Sequence, residues 1–427
     1  MVHKYIYTIG QRFRNPSLKA CRKFLEESNT WDLDKLKEYQ LKKLKELVHF
    51  AYQYSEYYAE KMTEINVHPN DIKTLDDLKK LPILTKEVLV KENTRIHTNY
   101  KFKKKFLAST SGSSGNSLSF FRDEWADSFN RAAALRGYSW YSVHPWEKNG
   151  YFWGFSFSFV QQLKVRLLDK LQNRFRVFKY DDKGFKSFVN KLKNARYIHG
   201  YSSMIFEAAK RINQNQLPKP QKLKMVKGTS EKIFDSYQDE VKKAFGMPII
   251  SEYGATESGI IAFECPDGNM HINMEGVLVE VIDNEIAVTN LQMLSFPVIR
   301  YKLGDYIELE AEDINCPCGR NHLIIKEVTG RIGANVYGFQ QTYPSLYFYY
   351  IFKNLSVHHK LKLTYRVEQH KKGHLDFYIE EDLNSSEKEL VEKEIKRYFE
   401  NDISYKLEKM KEKPVSTTKS KSFISYI

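Results

Sequence analysis

The sequence has no apolar run long enough to cross a bilayer. Its best candidate, Tyr151 to Val160, is half the length a membrane helix needs and contains two serines. The opening Met1-Val2-His3-Lys4-Tyr5 leads into no apolar region with a small-residue cleavage site, so secretion is not expected. Cysteine is scarce: there are four in 427 residues, and in a reducing cytosol they are not expected to pair as disulfides. These absences together predict a cytoplasmic protein with no transmembrane segment. Internal repeats and low-complexity tracts are also missing, which argues against solenoids and tails. No helix-turn-helix, RNP or zinc-finger spacing occurs, so nucleic acid is not an expected partner.

What is abundant is positive charge. The net charge is +14, of which residues 332–427, with 16 Lys and Arg against 13 Asp and Glu, carry +3 and the first 331 residues +11. A basic large lobe suits anionic ligands such as ATP, CoA, nucleotide sugars or a lipid phosphate. A solvated surface is the plain alternative, above all for Lys103-Lys104-Lys105. Peripheral association with a membrane stays open, as does the oligomeric state. With 42% hydrophobic and 28% charged residues, the chain is globular and long enough for two to three domains.

Periodicity gives the organisation. Leu33, Leu36, Leu44, Leu47, Val48 and Ala51 recur at helical spacing, so a helix is expected over about 33–52. From about 105 to 310, short β-branched and aromatic runs alternate with helical stretches. Met247-Pro248-Ile249-Ile250 follows a predicted helix at 231–245, and Gly276 to Ile282 reads as a strand. Such alternation predicts a layered α/β domain. Near the C-terminus, Lys362 to Val367 and Leu375 to Ile379 read as paired strands about Lys372-Gly373. Ser386 and Glu389 offer a capping box for a helix burying Val391, Ile395 and Phe399, and Leu407 falls in a short strand. The order β-β-α-β describes a small separate unit.

Residues 110–117 read Thr-Ser-Gly-Ser-Ser-Gly-Asn-Ser and precede the β-like Leu118-Ser119-Phe120-Phe121. A turn of glycine and hydroxyl residues between apolar segments can point amides and hydroxyls at phosphate. A flexible linker is the bland reading. It is not a Walker loop, because two residues rather than four separate Gly112 from Gly115, and Asn116 rather than Lys follows. Further on come Ser251-Glu252-Tyr253-Gly254-Ala255-Thr256-Glu257, then Tyr301-Lys302-Leu303-Gly304-Asp305, then Thr329-Gly330-Arg331. Taken singly, Glu257 and Asp305 could be surface carboxylates, Tyr253 a core residue, and Arg331 the partner of a nearby Glu.

In this order and spacing the motifs resemble those of the adenylate-forming enzymes, the group of acyl-CoA synthetases and peptide-synthetase adenylation domains. Finer detail is similar to the phenylacetate–CoA ligase branch and its capsule-biosynthesis (CapK-like) members. It comprises Leu81-Pro82-Ile83-Leu84-Thr85-Lys86, His199-Gly200-Tyr201-Ser202-Ser203, Phe263-Glu264-Cys265-Pro266, Phe296-Pro297-Val298-Ile299-Arg300-Tyr301 and Cys316-Pro317-Cys318-Gly319-Arg320. The resemblance runs from about Leu33 to the C-terminus. It implies a large layered α/β N-terminal domain plus a small α+β mobile C-terminal lid. The helical part of the large domain would occupy 1–100, the ATP- and acyl-binding core 101–330, and the lid 331–427.

The resemblance also implies roles. A carboxylate attacking the α-phosphate of ATP brings anion to anion, so phosphate contacts, magnesium and a fixed nucleotide are all needed. Thr110, Ser111, Gly112, Ser113, Ser114 and Gly115 would hold the departing pyrophosphate. Thr256 would bond the α-phosphate, and Glu257 would hold Mg2+ through oxygen. Tyr253, with Gly254, would pack on the adenine, Asp305 would accept both ribose hydroxyls, and Arg331 would meet ribose or phosphate. In the tail, Lys421 fits the lysine that bridges carboxylate and α-phosphate, with Lys419 the alternative and a basic disordered tail the plain reading. Three departures stand out. Asn116 replaces a common Lys and could pass its role to Lys103–Lys105. Ser420 replaces Gly. Gly333 replaces a hinge Asp, although glycine permits rotation.

Cys265-x5-His271 and Cys316-x-Cys318 supply three thiolates and an imidazole in two tight pairs, enough for one structural Zn2+. His322 is an alternative to His271, and buried free thiols are the alternative to metal. Two function classes follow. The first is an ATP-dependent ligase that activates a small carboxylic acid as acyl-adenylate and passes the acyl group to CoA or to a glycan precursor. The second is a non-catalytic nucleotide-binding relative, to which Asn116, Ser420 and Gly333 would point and against which Glu257, Asp305 and Lys421 argue. Trp153, Phe155 and Phe157 are candidates for lining the acid pocket, with core packing the plainer role.

Overall fold

The helix expected from residue 33 runs Leu33–Tyr54. Asp32 starts it by accepting the Lys35 amide at 2.8 Å. Its inner face buries Leu36, Leu44, Leu47, Val48 and Ala51. Gln40 is buried on the same face and donates to the Val277 carbonyl at 2.8 Å, so the polar atom is satisfied. The computed structural model describes residues 2–110, 118–152, 159–176, 182–331, 335–410 and 422–427. The chain divides into two units, residues 1–146 with 251–328, and residues 147–250 with 329–427.

In the first unit, strands neighbour one another in the order Val277–Ile282, Glu285–Asn290, Tyr301–Leu309, Ile324–Arg331, Met270–Ile272, Gly259–Glu264 and Ile249–Ala255. The pairings run antiparallel wherever the register is defined. A separate hairpin, Lys105–Ser109 with Ser119–Asp123, flanks residues 111–117. One core joins Leu44, Leu47 and Val48 of the long helix to Leu81, Leu84, Phe120, Phe296 and Tyr301. At about 25 cal/mol per Å2 of apolar area, burial of this kind dominates the stability of the unit.

The second unit holds the βα alternation. Met225–Thr229, Tyr197–Tyr201, Asn149–Phe152 and Arg174–Arg176 lie side by side, with parallel pairing. Helices Ser202–Gln214 and Asp235–Phe245 follow strands, as short crossovers between parallel strands require. The layered α/β expectation is met, but in the large sheet the parallel pairs of defined register lie within residues 149–229, and the strands from 249 to 331 pair antiparallel wherever the register is defined. The helix expected at 231–245 begins later, at Asp235.

The C-terminal strands order as Ser404–Lys409, His374–Ile379, Tyr365–Lys371 and Phe423–Ser425. The expected β-β-α-β is present, with a helix at Leu346–His359 before it and the Phe423–Ser425 strand after it. Val391, Ile395 and Phe399 pack with Phe348, Ile351 and Leu355 of the added helix. The capping box is Asn384 with Glu387, not Ser386 with Glu389. Asn384 accepts the Glu387 amide at 3.0 Å, and Glu387 accepts the Asn384 amide at 2.9 Å. Ser386 and Glu389 lie inside the helix. Among the described residues, no helix is long and apolar enough to cross a membrane.

Candidate active site and metal centre

Tyr253 to Glu257 leave the Ile249–Ala255 strand through a bulge between Tyr253 and Gly254. A Cβ on Gly254 would lie 2.4 Å from the Gly259 carbonyl oxygen, so the close approach requires glycine. The turn is pinned from three sides. Arg122 donates to the Thr256 carbonyl at 2.5 Å, Asn290 to the Ser258 carbonyl at 3.1 Å, and the Ala255 amide to Ser258 Oγ at 3.2 Å. These bonds hold the Glu257 side chain inward, where it is 6% exposed.

Glu257 meets Lys86. The Lys86 Nζ lies 2.7 Å from Glu257 Oε1 and 3.3 Å from Thr110 Oγ1. Tyr301 donates its hydroxyl to the same Glu257 oxygen at 3.4 Å. Thr110 and Leu118 exchange bonds across the neck of the glycine-rich loop, amide to carbonyl at 2.9 Å and amide to Oγ1 at 3.0 Å. Lys86 therefore bridges the root of that loop to the buried carboxylate. Residue spacing alone gave no role to Lys86.

Its position has a cause. Thr85 caps the short helix Lys86–Lys91. Leu84 bonds on both sides of Tyr301, its amide to the Arg300 carbonyl and its carbonyl from the Lys302 amide, each at 3.0 Å. Arg300 is buried, with φ +54°, a conformation a non-glycine residue adopts only when its surroundings impose it. Its guanidinium forks onto Glu280 at 2.9 and 3.0 Å. It also donates to the Leu81 and Lys79 carbonyls at 2.6 and 3.1 Å. Arg300 thus clasps the 79–86 segment to the Tyr301–Leu309 strand.

On that strand Asp305 accepts the Tyr253 hydroxyl at 2.8 Å. Gly304, at φ +79°, donates its amide to Glu285 at 3.0 Å, and Glu285 holds Lys302 at 3.2 Å. The 253–257 turn and the 301–305 strand are therefore cross-linked twice, Tyr253 to Asp305 and Tyr301 to Glu257. The structure brings together Thr110, Tyr253, Gly254, Thr256, Glu257 and Asp305 within the first unit. Arg331 ends the Ile324–Arg331 strand. Ser111, Gly112, Ser113, Ser114, Gly115, Asn116, Gly333, Lys419, Ser420 and Lys421 lie outside the described residues, as do Trp153, Phe155 and Phe157.

The second cluster sits at the far end of the Gly259–Glu264 strand. A turn at 265–269 and another at 316–319 each close on a glycine of positive φ, Gly268 and Gly319. Cys265 Sγ lies 3.7 Å from Cys316 Sγ, and His271 Nε2 lies 3.2 Å from Cys318 Sγ. The four donor atoms all fall within 4.8 Å of one another. A disulfide needs about 2.05 Å between sulfurs, whereas a tetrahedron with Zn–S of about 2.3 Å has edges of about 3.8 Å. His271 Nδ1 faces the His322 carbonyl at 3.1 Å. That contact leaves Nε2 as the lone-pair atom, the arrangement of a metal-bound imidazole. Burial, aided by His322, Arg320 and Arg136, lowers His271 to about 4, so the ring is neutral near pH 7. Burial pushes the Cys265 thiol up to about 12, so its thiolate exists only with a cation beside it. The donor set fits zinc. His322, the alternative to His271, is not among the four convergent donors, and its Nε2 lies 3.0 Å from Glu275 Oε1. That buried carboxylate also holds Arg136, at 2.6 and 3.1 Å.

Magnesium at Glu257 is a different case. A lysine already neutralises that carboxylate, so a metal there would share Glu257 with Lys86 or displace it. A single carboxylate suffices when substrate phosphates complete the shell.

No family model matches the chain. The chain is 25% identical over 307 residues to Protein CapK of Staphylococcus aureus, covering 69% of this chain and 67% of CapK. A crystal structure of 2-hydroxyisobutyryl-CoA ligase in the postadenylation state, in complex with 2-HIB-AMP, superposes with a TM-score of 0.72. The identity is 16%, over 94% of this chain and 91% of that one. The same ligase with 2-HIB-AMP and CoA, in the thioesterification state, gives a TM-score of 0.61 at 16% identity, over 94% and 91%.

Proposed function

We propose, from the premise that the chain has the adenylate-forming fold and is similar in sequence to CapK, that it activates a small carboxylic acid with ATP and then transfers the acyl group. The acid's oxygen attacks the α-phosphorus, the bond to the β-phosphate oxygen breaks, and pyrophosphate leaves with the electron pair. An acceptor hydroxyl, amine or thiol then attacks the acyl carbonyl, loses its proton, and AMP departs.

The observation that carries this reading is the convergence of motifs scattered over two hundred residues. Lys86, Thr110, Glu257 and Tyr301 join the root of the glycine-rich loop to a buried carboxylate, and Asp305 stands on the same strand as Tyr301. Residues 110–115 would receive the pyrophosphate, and Lys86 would offer its charge to it. Thr256 would bond the α-phosphate. Tyr253 and Asp305 would take adenine and ribose, Arg331 would meet ribose or phosphate, and Lys421 would bridge carboxylate to phosphate. Magnesium, held by Glu257, would neutralise phosphate charge when bound. Zinc at Cys265, His271, Cys316 and Cys318 would be structural, since four protein ligands leave no open position. Residues 331–427 would serve as the lid.

For the acceptor we favour a sugar in surface-polysaccharide synthesis, supported by the similarity to CapK. CoA is the second reading, favoured by the likeness to a ligase crystallised with CoA. The test is exchange of labelled pyrophosphate into ATP across a panel of acids. Acid-dependent exchange in the wild type, reduced roughly a thousandfold in Lys421→Ala, supports the reading. No exchange with any acid, together with no ATP binding, overturns it, and ATP binding without exchange leaves the non-catalytic nucleotide-binding relative.

A further inference from the structure

We propose that the Val2–Arg14 helix and the hairpin beside it form a surface that docks this chain onto an anionic lipid bilayer. Successive helix positions turn by about 100°, which places Tyr5, Ile9, Val2, Phe13 and Ile6 within an arc of roughly 100°. Four of these are strongly exposed: Val2 at 67%, Tyr5 at 65%, Ile9 at 54% and Phe13 at 79%. The stripe faces outward because the opposite face is occupied. Tyr7 packs on Trp146 with centroids 5.8 Å apart, and the Lys4 ammonium lies 5.6 Å over the same ring. Just past the helix, buried Asn15 donates to Asp127 at 2.8 Å and Ser128 at 3.2 Å.

The charge around the stripe has one sign. The helix contains Lys4, Arg12 and Arg14 and no Asp or Glu. At its end, Lys104 Nζ donates to the Phe13 carbonyl at 2.6 Å, and the Arg14 guanidinium sits 4.3 Å over the Phe106 ring. These contacts bring Lys104 and the start of the hairpin beside the stripe. On the hairpin, Leu107 and Phe121 pair across the strands, 66% and 44% exposed, with the Lys105 ammonium 5.3 Å over Phe121. The nearest acidic groups are engaged inward. Asp123 accepts the Ala126, Leu294 and Ser295 amides, Glu124 accepts Ser17 and Ser128, and Asp127 holds Arg131.

An apolar stripe flanked by Lys and Arg, on a helix of 13 residues, is too short to span a bilayer and is built to lie in its interface. No residue of this helix is buried, so the stripe is a ridge rather than a groove. A ridge with a cationic rim suits a deformable anionic surface better than a folded partner, which would need a matching acidic cleft.

The experiment is co-sedimentation of the full chain with phosphatidylcholine vesicles, with and without phosphatidylglycerol. The expected result is binding that requires phosphatidylglycerol and weakens with salt, reduced roughly tenfold or more by I9E/F13E. The single exposed change Arg12→Glu should weaken it severalfold and serves if the double variant fails to fold. Equal binding to both vesicles, or full binding by a folded I9E/F13E and by R12E, overturns the proposal. So does a wild-type dimer in light scattering that I9E/F13E dissociates, which would make the face an interface between copies. Loss of binding only in L163E/L167E, on another basic helix with exposed leucines, overturns it as well.

Discussion

Glu257 precedes and Cys265 follows the same strand, Gly259–Glu264, and the surroundings at its two ends are opposite in kind. At the first end the carboxylates already have partners inside the protein, Glu257 the Lys86 ammonium and Asp305 the Tyr253 hydroxyl. A carboxylate held by an ammonium is stable without a ligand, yet either partner can turn to a phosphate or a metal when one arrives. At the second end, three sulfurs and an imidazole converge within 4.8 Å. Such donors either stay protonated or take a cation. The first end therefore reads as an exchangeable site and the second as a structural one.

The comparison breaks most sharply at Glu257. Glu257→Gln keeps a hydrogen-bond acceptor for Lys86 but removes the charge. We expect a fall of roughly a hundredfold in acid-dependent pyrophosphate exchange and a raised magnesium requirement, with the melting temperature moved by only a few degrees. A variant that unfolds instead would make Glu257 structural. Next in size is Cys316→Ser. We expect zinc, near one per chain in wild type purified without chelator, to be lost, and the melting temperature to fall by roughly 10 °C. Elemental analysis with thermal unfolding checks this. A metal-free wild type of unchanged stability would leave only buried thiols. The smallest effect is Tyr253→Phe. Removing one hydrogen bond to Asp305 should raise the KM for ATP by roughly fivefold, at about 1 kcal/mol per bond, and leave zinc content unchanged. A change in zinc content would mean that the two ends are not independent.

Local pattern explains what could be read from the chain. The long helix was legible because its apolar residues repeat at 3.6 and Asp32 caps it. The Cys and His cluster was legible because its members come in two tight pairs, yet which histidine, His271 or His322, would join the three sulfurs was not. Their positions depend on register: His271 stands opposite Phe263 and Ile324 with Nε2 at Cys318, while His322 turns its Nε2 to Glu275. Lys86 could be seen as part of a motif but not as a partner of Glu257, because that depends on Leu84 bridging to Tyr301, more than two hundred residues away. Arg300 stands in the motif Phe296 to Tyr301, but the motif names no partner for it. Its positive φ and its fork onto Glu280 exist only once Leu81 and Lys79 are in place to accept from it. The C-terminal capping box was misplaced by two residues because Asn384 and Ser386 are both good caps, and packing of Val391, Ile395 and Phe399 selects the helix start.

Attack of a carboxylate on the α-phosphate is the central claim, and oxygen labelling tests it most directly. With both carboxylate oxygens of an accepted acid labelled with heavy oxygen, one label should move into the phosphate of AMP when the acyl group is released, seen as a mass shift in AMP and none in pyrophosphate. Label in inorganic phosphate, or unlabelled AMP formed at the same rate, would contradict adenylation.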